Sequence, residues 1–341
     1  MKIREITRVA ALSAALVIGQ GQLAHAKDEQ NYLLATATSG GTFYSVGVAL
    51  ATLVKVKLQA SEKIGMSAMN SAGSGENIAL MRDGQAQFSI LQGLYGSYAA
   101  HGNGPLEGQG VQKNLRSIAR LWPNVEHFML PTRLVKTGTI SDVEAAKGQG
   151  AALGKRNSGA LGSNETILKN LGFNAESDFN LFYAGFTPAI EALQNDKVVL
   201  ASTPGGAPVS AVTTAYATIG AGNVTVLDFT DEQLKTADGG LELWTRYVVP
   251  AGTYPGQKKD IQTIAQPNLL AVNADVPEET VYLITKAIYE NLSFLQGIHP
   301  ATKAMSIENA ISGLPLPLHS GAVRYYEEVG VKIPDRLRPA K

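Results

Sequence analysis

Four short segments of this chain place small and polar residues directly ahead of a helical pattern. They are Gly40-Gly41-Thr42, Gly73-Ser74-Gly75, Asn157-Ser158-Gly159 and Gly205-Gly206-Ala207. The chemistry such segments offer is anion binding. A helix start leaves backbone N–H groups without intrahelical partners and carries the positive end of the helix dipole. Glycine lets a carboxylate approach those groups closely. Each segment taken singly is most simply a turn with a helix cap; four on one chain point to a carboxylate or anion site. Arg156, beside Asn157 and Ser158, is either a bidentate carboxylate clamp or a solvent-facing arginine. Gln92, ending an apolar run, either hydrogen-bonds a ligand or satisfies a loop. Phe43 and Tyr44 can wall a pocket, although the spacing of Phe43 favours the core face of a helix. His127 reads as a core histidine, and Trp122-Pro123 as packing at a lobe junction.

Patterns for catalysis are missing. The five histidines, His25, His101, His127, His299 and His319, form no H-x-x-x-H or H-E-x-x-H pair. No G-x-S-x-G elbow and no G-x-x-x-x-G-K-[ST] loop occurs. There are 0 cysteines, which excludes disulfides and thiolate metal sites. The expectation is a binding protein with no cofactor, no metal and no catalytic group.

Strand and helix patterns must position these loops. The apolar run Tyr32 to Thr38 reads as a strand. It is followed by a helix with Phe43, Val46, Leu50, Leu53 and Val54 on one face, closed by Lys55 and Lys57. Met66 to Asn70 reads as a strand leading into a second helix, with Ser74 as its N-cap and Gly84 as its C-cap. Ala86 to Leu91, Leu115 to Trp122 and Val125 to Leu130 read as further strands. A helix is expected to start at Ser141. Short strands at Ala151 and Val198, and helices over Ile167 to Leu171, after Thr187-Pro188 and from Val209, repeat the theme. Asp275 and Glu278 suggest a capping box, and a last helix is expected from Ser320 to Val329. Alternation of this kind predicts an α/β protein with mainly parallel sheets, its ligand where strand ends meet helix starts.

Composition bounds the rest. The 341 residues, 45% hydrophobic and 17% charged, describe a globular chain long enough for two domains. Residues 1–26 read as a secretory signal peptide: basic Lys2, Arg4 and Arg8, an apolar run from Val9, and Ala24-His25-Ala26 as cleavage signal. The mature chain is then periplasmic, not membrane-inserted and slightly acidic, and nothing in it suggests a nucleic-acid partner. The character of the chain changes near residue 131 and again near 227. The expected lobes are therefore 27–130 plus 228–341, and 131–227.

Longer motifs carry a resemblance. Ser39-Gly40-Gly41-Thr42-Phe43-Tyr44, Gly73-Ser74 with Asn77, Pro250-Ala251-Gly252-Thr253-Tyr254-Pro255-Gly256-Gln257, and Leu314-Pro315-Leu316-Pro317-Leu318-His319-Ser320-Gly321-Ala322 followed by Tyr325-Tyr326 resemble the TAXI type of solute receptor of TRAP transporters. The resemblance implies a two-lobed periplasmic binding protein of type II-like fold, with the ligand in the inter-lobe cleft. It implies a monomer that delivers a small carboxylate or amino acid, such as glutamate or a related dicarboxylate or oxo-acid, to TRAP permease subunits. By motif, Gly41, Thr42 and Phe43 contact the ligand and Ser74 and Asn77 line the cleft. Ser158 and Gly159 face them, with Gly206, Ala207 and Pro208 alongside. Tyr44, Gln92, Arg156 and Asn157 complete the expected site. The second-lobe loop departs from the P-G-S-G-T pattern, with Asn157 for a glycine and Ala160 for the threonine. An exported enzyme acting on a small carboxylate and a ligand-presenting sensory module are the alternatives.

Overall fold

The structure, a computed structural model, describes residues 28–339. The expected signal peptide lies outside the described residues. The chain opens with strand–helix units: β1 (Gln30–Ala35), α1 (Thr42–Glu62), β2 (Ile64–Met69), α2 (Ser74–Arg82), β3 (Phe88–Gln92) and α3 (Gly93–His101). β1 pairs parallel with both β2 and β3. α1 buries the predicted face, Phe43, Val46, Leu50, Leu53 and Val54, and runs past Lys57 to Glu62 before Lys63 stops it in a left-handed conformation. By length and composition α1 could cross a membrane. Its apolar face is instead packed into the first core with Ile78, Phe88 and Ile284.

One strand is longer and the next shorter than the sequence suggests. β4 (Leu115–Val125) continues through Trp122-Pro123. β5 (Phe128–Pro131) then begins a second sheet. That sheet has the order β7-β6-β8-β5-β9, from β6 (Gly150–Ala152), β7 (Asn180–Leu181), β8 (Leu200–Ser202) and β9 (Val224–Val226). Around it lie α4 (Gly159–Asn170), α5 (Ala175–Asp178), α6 (Phe186–Gln194), α7 (Ser210–Ala215) and α8 (Asp231–Asp238). The helix expected at Ser141 is a 3-10 segment, Ile140–Ala146. The Asp142 carboxylate is diverted there to accept from the N–H groups of Lys136, Thr137 and Gly138.

β10 (Thr245–Val249) and β11 (Ile261–Asn273) return to the first sheet, and α9 (Glu278–Glu290), α10 (Leu292–Ile298) and α11 (Ser320–Glu328) cover it. The first sheet has the order β10-β11-β3-β1-β2, with β4 on β11. β11 runs antiparallel to β10, β3 and β4. Both sheets are therefore mixed: the strand–helix units are parallel, and the crossing strands are added antiparallel. α9 starts after Pro277 without a side-chain cap, so the Asp275 capping box is not formed.

Core packing shifts both expected lobe crossings. The chain leaves the first sheet at Glu126-His127, because β5 belongs to the second. On the return, Phe229, Trp244, Tyr254, Ile261 and Ile264 are still buried in the second lobe's cores, whereas Leu269 to Val272 lie in the first. Core membership thus changes inside β11, although β10 already pairs into the first sheet. A long antiparallel strand can serve two cores without any break in its sequence.

β4 and β11 run side by side where the chain passes between the lobes. Pro123 stands opposite Pro267, and the register shifts between Pro267 and Leu269. Proline has no N–H to donate, so the ladder is weakest at that pair. Beside it lies a buried polar network. Glu126 accepts from Trp244 Nε1 at 3.1 Å. His127 Nδ1 donates to the Val125 carbonyl at 2.9 Å, and its Nε2 accepts from the Tyr254 hydroxyl at 2.8 Å. Tyr254 in turn accepts from Val209 N at 3.2 Å. The Pro250–Gln257 motif thus anchors the loop ahead of α7. Gln257 pins the motif through the carbonyls of Val249, Pro250 and Lys259.

Burial pushes the Glu126 carboxyl up to about 8 and the His127 imidazole down to about 4. Both groups are neutral in the folded protein near pH 6. Between pH 6.5 and 8 the folded carboxyl holds a proton that the unfolded chain has released. Stability therefore falls as pH rises through that window, by about 2 kcal/mol at 1.36 kcal/mol per pH unit. Between pH 4.5 and 6.5 the His127 contribution, which rises with pH, offsets the fall from Glu126. Urea unfolding as a function of pH should show this alkaline decline. Glu126→Gln should abolish the decline; an unchanged alkaline slope in that variant would refute the assignment.

Candidate functional site

The two lobes meet across a cleft whose walls are helix starts. From the first lobe come Gly41, Thr42 and Phe43 at the start of α1, and Gly73 and Ser74 at the start of α2. From the second come Ser158, Gly159 and Ala160 at the start of α4, and Gly185 and Phe186 at the start of α6. Three of these helices, α1, α2 and α6, have a glycine N-cap with no side-chain hydrogen bond. The first N–H groups of these helices have no intrahelical partner; in α2 that of Glu76 is taken by the Asn157 carbonyl. At α4 the Ser158 hydroxyl accepts from Leu161 N at 3.0 Å. Four positive dipole ends thus converge on one cavity.

Three polar side chains complete it. Asn124, 1% exposed on β4, has its Nδ2 unpartnered, and Gln92, 3% exposed, has its Oε1 unpartnered. Both line the cavity. Buried polar atoms without partners are costly, about 1–3 kcal/mol each, and a ligand that bonds them removes that cost. Lys155 lines the cavity from the exposed edge of the second lobe. It is the one charged residue in the wall; no carboxylate lines it among the described residues.

The lobes are closed on each other. Thr42 Oγ1 donates to the Gly206 carbonyl at 3.0 Å, and Tyr95 donates to the Ser158 carbonyl at 3.2 Å. Ala211 N donates to the Gly40 carbonyl, and Gly205 pairs with Val125. Glu76 N, in the first turn of α2, donates to the Asn157 carbonyl at 2.9 Å. The space enclosed is about 40 Å³, against the roughly 10–15 Å³ that one water needs. Entry of a solute therefore requires the lobes to part.

The structure gathers Gly41, Thr42, Phe43, Ser74, Gln92, Ser158 and Gly159 around this cavity. Phe43 is also a core residue, edge-on to Trp122 at 6.1 Å. Seven expected site residues lie outside it. Tyr44, the residue after Phe43 on α1, is not part of the wall. Asn77 is fully buried behind it, tying the carbonyls of Thr36 and Ile90 at 2.8 and 2.9 Å. Arg156 is exposed, its guanidinium 3.8 Å over the Tyr183 ring. Asn157 is exposed at φ 59°, a left-handed conformation that turns its carbonyl onto α2. Gly206, Ala207 and Pro208 are not in the wall: Gly206 meets the first lobe, its carbonyl accepting from Thr42 and its Cα beside Trp122, while Ala207 packs on a second-lobe core. Ser74 is the first helical residue rather than the N-cap, since its hydroxyl is taken by Gln92 N at 3.0 Å. α6 likewise begins at Phe186, ahead of the expected Thr187 cap.

The sequence reading missed Thr38, Asn124, Lys155, Gly185, Phe186 and Pro204. Asn124 was detectable as a lone amide inside an apolar strand. Lys155 was passed over for its neighbour Arg156, and only the turn geometry separates the two.

The chain has the two-lobed α/β fold of periplasmic binding proteins, with two mixed sheets meeting over a polar cleft. The chain belongs to the NMT1-like family, whose match covers residues 34–330. Among solved structures it is similar to MatC of Rhodopseudomonas palustris with bound malate. The identity is 13%, the match covers 88% of this chain and 97% of that one, and the TM-score is 0.54. A protein of Bordetella bronchiseptica RB50 is similar at 13% identity, covering 90% and 91%, with a TM-score of 0.52. At these identities the likeness is one of fold.

Proposed function

We propose that the protein is an extracytoplasmic solute receptor that closes on a small carboxylate or amino acid and presents it to a membrane permease of the TRAP type. The observation that carries this reading is the convergence of four helix starts and Lys155 on a cleft with no acidic wall residue. Such a cavity stabilises a carboxylate and disfavours a cation. Gln92 and Asn124 would read the rest of the solute, since an amide can present either donor or acceptor. The malate bound to the similarly folded MatC is a carboxylate of the expected size. Binding energy drawn from both lobes favours the closed form, which is the form a permease would distinguish. Export to the periplasm and the TAXI-type partnership belong to the same proposal.

A thermal-shift screen against small mono- and dicarboxylates, oxo-acids and amino acids tests it, because a ligand of the native state raises stability. At least one acid should shift the midpoint, and its amide should not. Lys155→Ala should weaken that acid by about 1.5–3 kcal/mol, the range for a charged hydrogen bond. Arg156→Ala should leave calorimetric affinity unchanged. If no acid binds, or if the protein turns an acid over, the receptor reading fails.

A further inference from the structure

The wall of the cleft carries one charged side chain, Lys155. Among the described residues, two acidic residues fall within two positions of a wall residue in the chain, Glu76 and Glu126, and neither is in the wall. The Glu76 carboxylate accepts from Ala72 N, and that of Glu126 from Trp244 Nε1 at 3.1 Å. Backbone acceptors are engaged as well. The carbonyls of Gly40, Gly73, Ser158 and Gly206, one from each glycine loop, already accept from Ala211 N, Asn77 N, the Tyr95 hydroxyl and Thr42 Oγ1. Two buried amides of the wall are not engaged in this way. Gln92 Oε1, an acceptor, and Asn124 Nδ2, a donor, have no partner.

An α-ammonium group is badly matched to such a wall. It brings a full positive charge and three N–H donors. It would face four helix starts and Lys155, all positive, with no carboxylate to pair with. A hydroxyl is neutral, and it donates and accepts at once. It therefore answers an amide oxygen or an amide N–H, whichever end of Gln92 or Asn124 it meets. The enclosed space is about 40 Å³, so a group that reaches the amides lies close to the carboxylate held at the helix starts. From this we infer that the cleft is built for 2-hydroxy acids and rejects the 2-amino acids of the same carbon skeleton. The inference rests on the receptor reading and narrows its solute. The carboxylate takes the helix starts and Lys155, and the 2-hydroxyl takes Gln92 and Asn124. These two amides, on β3 and β4, are then the residues that determine specificity.

The test uses matched acids that differ only at the second carbon. One set is L-lactate, L-alanine and propanoate, a second is L-malate, L-aspartate and succinate, and a third is L-2-hydroxyglutarate, L-glutamate and glutarate. Each is titrated by calorimetry into the full mature chain. In at least one set the hydroxy acid should bind, at least about tenfold more tightly than both its amino and its unsubstituted counterparts. Asn124→Asp places a carboxylate in the wall and should raise the affinity for the amino acid relative to the hydroxy acid at least about tenfold. Gln92→Glu makes the same comparison if Asn124→Asp does not fold. An amino acid or an unsubstituted acid that binds as tightly as its hydroxy counterpart overturns the inference and leaves the receptor reading standing. Unchanged ratios in both variants overturn the role given to the two amides. If no member of the three sets binds, the inference falls, and the wider thermal-shift screen decides the receptor reading separately.

Discussion

Gly159→Ala is expected to hold the two lobes apart and to cost more solute affinity than any other single methyl group. A Cβ at Gly159 would lie 2.5 Å from Gln92 Oε1 and 2.6 Å from Ser74 Oγ, both on the opposing lobe. Neither neighbour can yield easily. Ser74 Oγ is fixed by Gln92 N, and Gln92 is buried. Overpacking of this kind costs about 1–3 kcal/mol. Because the clash exists only when the lobes meet, that cost falls on the closed state and not on the folding of either lobe. It lowers the closed-to-open ratio by about 5–150-fold. Small-angle scattering should report a larger radius of gyration than wild type, with an unchanged thermal midpoint in the absence of solute. An acid found by the thermal-shift screen should bind correspondingly more weakly. Unchanged scattering together with unchanged affinity would remove the contact of Gly159 with Ser74 and Gln92 from the closure mechanism.

Trp122→Ala is expected to be the most destabilising substitution at the lobe junction. Trp122 is fully buried on β4, edge-on to Phe43, with Gly206 of the second lobe against its ring. Truncation removes the largest fully buried side chain and leaves a cavity between the two lobes, at a cost of about 3–5 kcal/mol. Trp122→Phe should cost less than half as much. The indole Nε1 has no hydrogen-bond partner, so phenylalanine loses ring volume and no hydrogen bond. Urea unfolding measures both. Equal losses in the two variants would mean that the indole N–H, not the ring volume, holds the junction.

Particular elements show why parts of this architecture were legible and others were not. The apolar spacing of Phe43, Val46, Leu50, Leu53 and Val54 marks α1 because a helix face buried against a sheet must repeat every 3.6 residues. Its C-terminus was misplaced because Lys55 and Lys57 are simply exposed side chains of a helix that continues. β10 and β11 left no comparable signal. β11 is buried along most of its length, so it has no polar–apolar alternation, and Pro267 inside it argues against a strand. That proline is tolerated because it faces Pro123.

For the cleft, the glycine segments were readable because close approach to a helix start demands a residue without a side chain. Which neighbouring side chain enters the cleft was not readable. Asn157 adopts a left-handed backbone, which turns Arg156 outward onto Tyr183 and leaves Lys155 at the cavity. Asn77 fits the ligand motif in sequence, yet its amide is spent joining the ends of β1 and β3.

By itself, then, the sequence determined the strand–glycine–helix units, the absence of catalytic and metal-binding patterns, and the anion-friendly character of four loops. These are local properties, fixed by backbone conformation and residue type. The tertiary structure decided which helix starts face one another and that β4 and β11 pass between the lobes side by side. It also decided that Asn124 and Lys155, rather than Asn77 and Arg156, reach the cavity. Those outcomes depend on contacts between residues far apart in the chain, where packing and backbone handedness, not residue type, select the side chain that meets the solute.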